Sequence, residues 1–282
     1  MRLKRVPKAK IPVFFITLLV SSLISRSRTR CDTILNMKIE RTFVEFDRSG
    51  NKSLREGAVA VEYPLTIVVN GQKWASLYCS PQHLDELALG FLESEGTVEK
   101  IEEILEISII PNCVSLRVNK AVAPKEFIIT SSGGKFPQEE KDLNPLALDK
   151  TFQGKAILEL LEEFENASSV WQLTHGVHSA ALSDGTKLLV FREDLGRHNA
   201  VDKVYGHFLI RGLSTEGTIL ILSGRISSEM VLKALRRKSP VIVSLASPTD
   251  KALNLAEKTG ITVIGQARGG KMKVYTFPER IL

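Results

Sequence analysis

The chain is poor in cysteine. Only Cys31, Cys79 and Cys113 occur, too scattered for a disulfide framework or a zinc knuckle. Such sparse usage suits a reducing cytoplasm, where the protein is expected to work. Neither His-x-Glu nor Pro-Cys-x-x-Cys is present, which excludes a zinc deaminase, and no zinc is expected. There is no internal repeat and no low-complexity tract. The apolar stretch over residues 11–24 is too short to span a bilayer. It lies behind basic residues in the manner of a signal peptide, but Ser25, Ser27 and Thr29 are interleaved with arginines where a cleavage pattern would stand. Residues 1–36 are therefore read as a leader foreign to the fold, with Met37 as the initiator and no membrane partner.

The excess of positive charge is not general either. Of 38 basic and 32 acidic residues, residues 1–36 hold eight and one, leaving 30 basic against 31 acidic in the remainder. Phosphate-driven binding to nucleic acid needs positive charge clustered on the folded part, so nucleic acid is not an expected partner.

What is present reads as two units of ordinary globular composition. Residues 37–130 form a small α+β domain, 131–150 a loop or linker, and 151–282 a second domain. In the first, β-branched residues lead to Asn70-Gly71, a dipeptide suited to the positive φ angles of a type I′ hairpin. Ser80 and Pro81 then read as the cap and first position of a helix with an apolar face of Leu84, Leu87, Ala88, Phe91 and Leu92, stopped by Gly96. A strand pair around residues 105–118, broken at Pro111-Asn112, follows. The second domain opens with a helix over about 155–166. A strand over 187–191 precedes a helix capped by Asn199, with Val201, Val204, Tyr205, Phe208 and Leu209 on its apolar face. Strands over 218–222, 240–245 and 261–264 then alternate with helices starting at Ser227 and Thr249, the spacing of a parallel, covered sheet.

Ligands of such sheets gather at the carboxyl ends of the strands. Three loops fall there: Ser223-Gly224-Arg225, residues 246–249, and Gln266-Ala267-Arg268-Gly269-Gly270-Lys271. Glycines let backbone N–H groups come close, helix N-termini favour anions, and Arg225, Arg268 and Lys271 add formal charge. A phosphate or diphosphate ligand fits this chemistry; three solvent-facing turns fit it about as well. His175 and His178 beside Glu193, Asp194 and His198 make a metal site or an acid/base cluster, or else a buried hydrogen-bonded network in which Glu193 or Asp194 pairs with Arg197.

The order of these motifs resembles one family, FdhD/NarQ. The likeness runs through Glu62-Tyr63-Pro64-Leu65, Cys79-Ser80-Pro81, Thr174-His175-Gly176-Val177-His178, the block 192–203, Ser223-Gly224-Arg225 with Glu229-Met230-Val231, and Ala267-Arg268-Gly269-Gly270. The resemblance implies an α/β fold: a cytidine-deaminase-like domain without zinc, joined to the smaller α+β domain. It implies an accessory protein of formate dehydrogenase, a homodimer that takes sulfur from a cysteine desulfurase and passes it to bis-molybdopterin guanine dinucleotide. It places cofactor binding on Gln266 to Lys271, to which the loop reading adds Ser223, Gly224, Arg225, His178, Arg197 and His198 and a GDP-like ligand.

The family's persulfide cysteine has no counterpart here, since Ser132 occupies its position in Thr130-Ser131-Ser132-Gly133-Gly134. A hydroxyl cannot hold sulfane sulfur, because the relay needs a thiolate that attacks and is attacked at sulfur. Cys79, read as preceding a helix N-terminus, is the substitute carrier or else a small buried hydrophobe. Three functions stay open: a sulfur carrier, a cofactor-binding chaperone or paralogue without sulfur transfer, and a small enzyme acting on a nucleotide or pterin through His175, His178 and His198. With a desulfurase and cysteine, the wild-type chain is expected to carry almost no protein persulfide and Ser132→Cys to acquire it. Labelling of the wild type that maps to Cys79 would make Cys79 the carrier.

Overall fold

The computed structural model describes residues 36–122, 127–128 and 144–282; Ser132 and Cys31 lie outside them. Among the described residues the chain is a mixed α/β protein with three sheets and six α-helices.

Among the described residues, strands β1 (Lys38–Phe46) and β2 (Lys52–Ala60) pair only with each other, as a two-stranded antiparallel ribbon. The first larger sheet has five strands in the order β5-β6-β3-β4-β7, built from β3 (Tyr63–Val69), β4 (Gln72–Cys79), β5 (Ile104–Ile110), β6 (Cys113–Val118) and β7 (Phe127–Ile128). The Asn70-Gly71 turn joins β3 to β4 with both residues at positive φ, 50° and 79°, as a type I′ hairpin requires. Helix α1 (Leu84–Ser94) covers this sheet. Gly96, at φ 69°, ends the helix, and the N–H groups of Gly96 and Thr97 return to the carbonyls of Glu93 and Leu92.

The second sheet has six strands in the order β13-β12-β11-β10-β8-β9. Strands β10 (Ile219–Leu222), β11 (Val241–Ser244) and β12 (Thr262–Arg268) are parallel, as their spacing predicts. The flanking strands β8 (His178–Ser183), β9 (Leu188–Asp194) and β13 (Lys271–Val274) run antiparallel to their neighbours, so the sheet is mixed. Alternate residues of the parallel strands face opposite cores, which is why these strands are apolar throughout. Leu220, Leu222, Ile242 and Val263 pack beneath α4 (Arg197–Ile210), α5 (Ser228–Arg236) and α6 (Asp250–Thr259). Ile219, Ile221, Val241, Val243 and Ile264 pack against Ile157, Leu160, Leu161 and Phe164 of α2 (Gly154–Ala167). A short helix, α3 (Ser169–Thr174), leads into β8.

Three local readings are corrected. Ser80 does not cap α1, which begins at Leu84 after His83 in the left-handed region. The Ser80 N–H donates to Asp194 Oδ2 (3.1 Å), and its hydroxyl accepts from the Leu195 N–H (3.0 Å). Asn199 does not cap α4 either, because the helix begins two residues earlier and the Asn199 amide donates to Asp194 Oδ1 and the Tyr78 carbonyl. In both cases a partner distant in sequence took the side chain that local capping would have used. The third correction is that residues 266–271 are not a free loop but the end of β12, a Gly269-Gly270 turn at positive φ, and the start of β13.

The two larger sheets meet through α1 and α4. An added methyl at Gly90 would lie 1.9 Å from the Asp202 carbonyl oxygen, and one at Gly206 would lie 1.9 Å from that of Glu86. Each glycine thus admits the other helix's backbone. Around this crossing, Glu86 accepts a two-point hydrogen bond from Arg192 (2.6 and 2.9 Å) and lies 2.9 Å from His207. Burial alone would raise the Glu86 carboxyl, but Arg192 and His207 hold it well below the usual carboxylate range. Gly90→Ala is expected to cost about 3 kcal/mol in urea denaturation by forcing the two backbones apart. Adding Gly206→Ala should cost less than the sum, since helices already separated have room for the second methyl.

Candidate functional site

The carboxyl ends of β10 and β11 open beside the start of β8, and a cavity of about 310 Å³ lies there. His178, Ser223 and Arg268 line it, with Trp171, His175, Val177, Leu195 and Leu245 among the other walls. Ser223 ties the two strand ends together: its N–H donates to the Ser179 carbonyl, and its hydroxyl accepts from the Ser179 N–H at 2.9 Å. That hydroxyl is also 3.4 Å from His178 Nδ1. Burial and the nearby Arg197 charge push His178 below its ordinary value, so its ring is neutral at pH 7. It therefore offers a ligand a hydrogen bond and not a full charge.

Adjoining His178 and Ser223 is a second cluster. A methyl added at Gly224 would lie 3.2 Å from His178 Nδ1 and 3.3 Å from Arg197 Cδ, so the missing Cβ lets these two side chains pack against its backbone. Arg197 is lowered first by burial and then by the charge of Arg225, so two guanidinium groups lie near one another with Glu229 as a counter-charge. Ser227 precedes α5, and its buried hydroxyl has no hydrogen-bond partner among the described residues. A helix N-terminus with glycine, free hydroxyl and two arginines is suited to phosphate oxygens.

His198 stands back from the cavity. It is buried, with Nε2 2.5 Å from Glu229 Oε2. Burial leads the lowering of His198, while its hydrogen bond and charge outweigh burial at Glu229 and hold that carboxylate down. One turn further along both helices Asp202 pairs with Lys233, so His198 belongs to a ladder joining α4 to α5. The three histidines do not share the cavity: His175 and His178 line it, while His198 lies outside its wall but near enough for its charge to lower His178. Among the described residues, no three of His, Cys, Asp and Glu are grouped to hold a metal ion.

Within residues 266–271, Arg268 alone joins the cavity wall. Ala267 is fully buried, Gln266 donates to the Ser247 hydroxyl (2.9 Å), and Gly269 and Gly270 form the turn before the exposed Lys271. Alternation turns Ala267 to the face opposite Arg268, while Gln266 lies at φ 50° in the irregular stretch of β12 between Gly265 and Arg268. Sequence reasoning missed Trp171. Its one signal was an aromatic residue three positions before the Thr174-His175-Gly176-Val177-His178 run.

Cys79 ends β4, fully buried, with its thiol directed to the Tyr63 carbonyl (Sγ to O 3.6 Å). The expected helix dipole is not beside it, since α1 starts five residues later. Burial, reinforced by Asp194, pushes the thiol up to about 12. Cys79 is thus a small apolar core residue and carries no appreciable thiolate at neutral pH. Iodoacetamide followed by peptide mapping is expected to leave Cys79 unmodified in the folded protein and to modify it fully in urea.

The profile of the FdhD/NarQ family matches residues 60–282. The sulfur carrier protein FdhD of Bacillus subtilis (strain 168) is 38% identical over 244 residues, covering 82% of this chain and 93% of the relative. That of Staphylococcus aureus (strain MRSA252) is 39% identical over 234 residues, covering 78% and 88%. A crystal structure described as that of a formate dehydrogenase accessory protein from Desulfotalea psychrophila superposes with a TM-score of 0.76 at 32% identity, over 88% of this chain and 100% of that one.

Proposed function

The chain belongs to the FdhD/NarQ family, and from that premise we propose that it is an accessory protein of formate dehydrogenase that receives bis-molybdopterin guanine dinucleotide at the strand ends of its six-stranded sheet. The observation that carries this reading is the meeting of Arg268, His178 and Ser223 around one cavity, next to Gly224, Arg197 and Arg225. The residues suit a phosphate-bearing ligand with an organic end: guanidinium groups and a helix N-terminus for the anion, apolar walls for the rest. At about 310 Å³ the cavity is at the small end of ligand pockets, so it suits one nucleotide-sized portion of such a cofactor. In this reading Arg268 makes a charge-assisted hydrogen bond, Ser223 orients a polar group, and His178 remains neutral.

The further elements of the reading are a cytidine-deaminase-like character for the six-stranded unit, a cysteine desulfurase as sulfur donor, a homodimer, and work in the cytoplasm. The first is supported by the antiparallel β8–β9 hairpin beside three parallel strands. For the homodimer, the β1–β2 ribbon offers exposed Phe43, Val44, Phe46 and Leu54. The burial of Cys79, with Ser132 where the persulfide cysteine is expected, favours a second reading: a cofactor-binding chaperone or paralogue without sulfur transfer. Both readings share the pocket and differ only in sulfur chemistry.

Losing a hydrogen bond to a charged group costs about 1.5–3 kcal/mol, so Arg268→Ala should weaken GDP binding roughly tenfold or more in calorimetry. Unchanged affinity would remove Arg268 from the site.

A further inference from the structure

The sequence contains two tryptophans, and they are placed very differently. Trp74 is 3% exposed in the core of the five-stranded sheet, whereas Trp171 is 42% exposed and forms part of the cavity wall. It stands on α3, a six-residue helix with no buried residue. His175 ends that helix at φ 51°, and its ring meets the indole edge-to-face with centroids 4.7 Å apart. Two aromatic rings on one lip of an anion-binding cavity offer a planar ligand group a wall to stack on.

A helix that buries none of its own side chains needs another anchor. The first N–H groups of a helix have no partner within it. Here the Glu193 carboxylate supplies one from β9: Oε2 accepts from the Val170 N–H (3.2 Å) and Oε1 from the Trp171 N–H (3.0 Å). Glu193 is itself buried. At the other end of α3, Gly176 packs against Ala60 of β2, and the Thr174 hydroxyl bonds back to the Val170 carbonyl. The Trp171 backbone is therefore held directly by one buried carboxylate.

We infer that Trp171 stacks on the fused heteroaromatic ring of the ligand and that Glu193 is the positioning residue that holds this wall in place. The inference rests on the pocket reading above and adds which end of the ligand lies where: the ring against α3, the anionic end towards Arg268 and Gly224. A guanine and a pterin share the required ring chemistry. Trp171 touches the ligand in this arrangement, and Glu193 acts only through it.

The test is calorimetry and tryptophan emission with GDP, a free pterin and inorganic pyrophosphate. Trp171→Leu is expected to weaken binding of ring-bearing ligands about tenfold, the range of base–aromatic stacking, while leaving pyrophosphate affinity unchanged. Trp171→Phe should restore most of it. Quenching of wild-type emission by GDP but not the pterin assigns the wall to guanine, and the reverse assigns it to the pterin. Glu193→Ala should lower GDP affinity by a similar factor and red-shift Trp171 emission without ligand, with Glu193→Gln recovering most of both. Equal GDP affinity in wild type and Trp171→Leu would overturn the stacking role while leaving the pocket reading intact, and so would an equal loss for GDP and pyrophosphate. A Glu193→Ala protein with unchanged emission and affinity would overturn the positioning role. A wild-type protein that binds none of the three ligands would overturn the pocket reading and this inference with it.

Discussion

The architecture depends on the buried ion pair between Asp194 and Lys203, 2.6 Å apart and both without side-chain exposure. Neither charge would be tolerable there alone, since breaking such a pair typically costs about 3–5 kcal/mol. Every other lone pair and proton nearby is also used. Asp194 accepts from the N–H groups of Ser80 and Gly196 and from the Asn199 amide, and Lys203 donates to the Ser80 carbonyl. The cluster therefore fastens the end of β4, the end of β9 and the first turn of α4 at one point. From there α4 extends between the two larger sheets, with Leu209 and Ile210 in the first core and Val201, Val204, Tyr205 and Phe208 in the second.

That fixture sets the site. Arg197 and His198 occupy the first positions of α4, so whatever orients the helix start orients them. Strand β9 brings Glu193 beside Asp194, and these neighbours point to opposite sides: Asp194 to the inter-sheet cluster, Glu193 to the N-terminus of α3. Two consecutive carboxylates thus hold the hinge of the fold and one wall of the cavity. The α4–α5 ladder continues the same order away from the cavity. After His198 with Glu229 and Asp202 with Lys233 comes Arg237, which pairs with Glu93 of α1 at 2.7 Å. Burial raises Glu93 to about 7, so it works against the carboxylate charge of this outermost rung.

The family role and the chemistry of the described thiols diverge at Cys79. A carrier needs an accessible thiol that is partly ionised at neutral pH. The end of β4 provides a closed core and a neighbouring aspartate, both of which oppose ionisation. Among the described residues that line the cavity there is no cysteine.

What the sequence by itself determined is whatever nearest neighbours along the chain could enforce. Asn70-Gly71 required positive φ, Gly96 ended α1, Thr249 capped α6 through the Ala252 N–H, and the apolar runs of β10, β11 and β12 demanded burial on both faces. Repeated βα spacing then brought the Ser223 and Arg268 segments to one end of the sheet. What only the tertiary structure decided was the partner of each polar side chain with more than one possible use. Ser80 and Asn199 had the chemistry of caps, but the Ser80 hydroxyl accepts from the Leu195 N–H, 115 residues away, and the Asn199 amide donates to the Tyr78 carbonyl, 121 residues away. Arg268 reached the cavity while Ala267 turned inward, and Trp171 became a wall because Glu193 on another element accepts its N–H. The physical reason is common to these cases: a local motif specifies which hydrogen bonds a residue is able to make, and burial against distant groups selects which of them it makes.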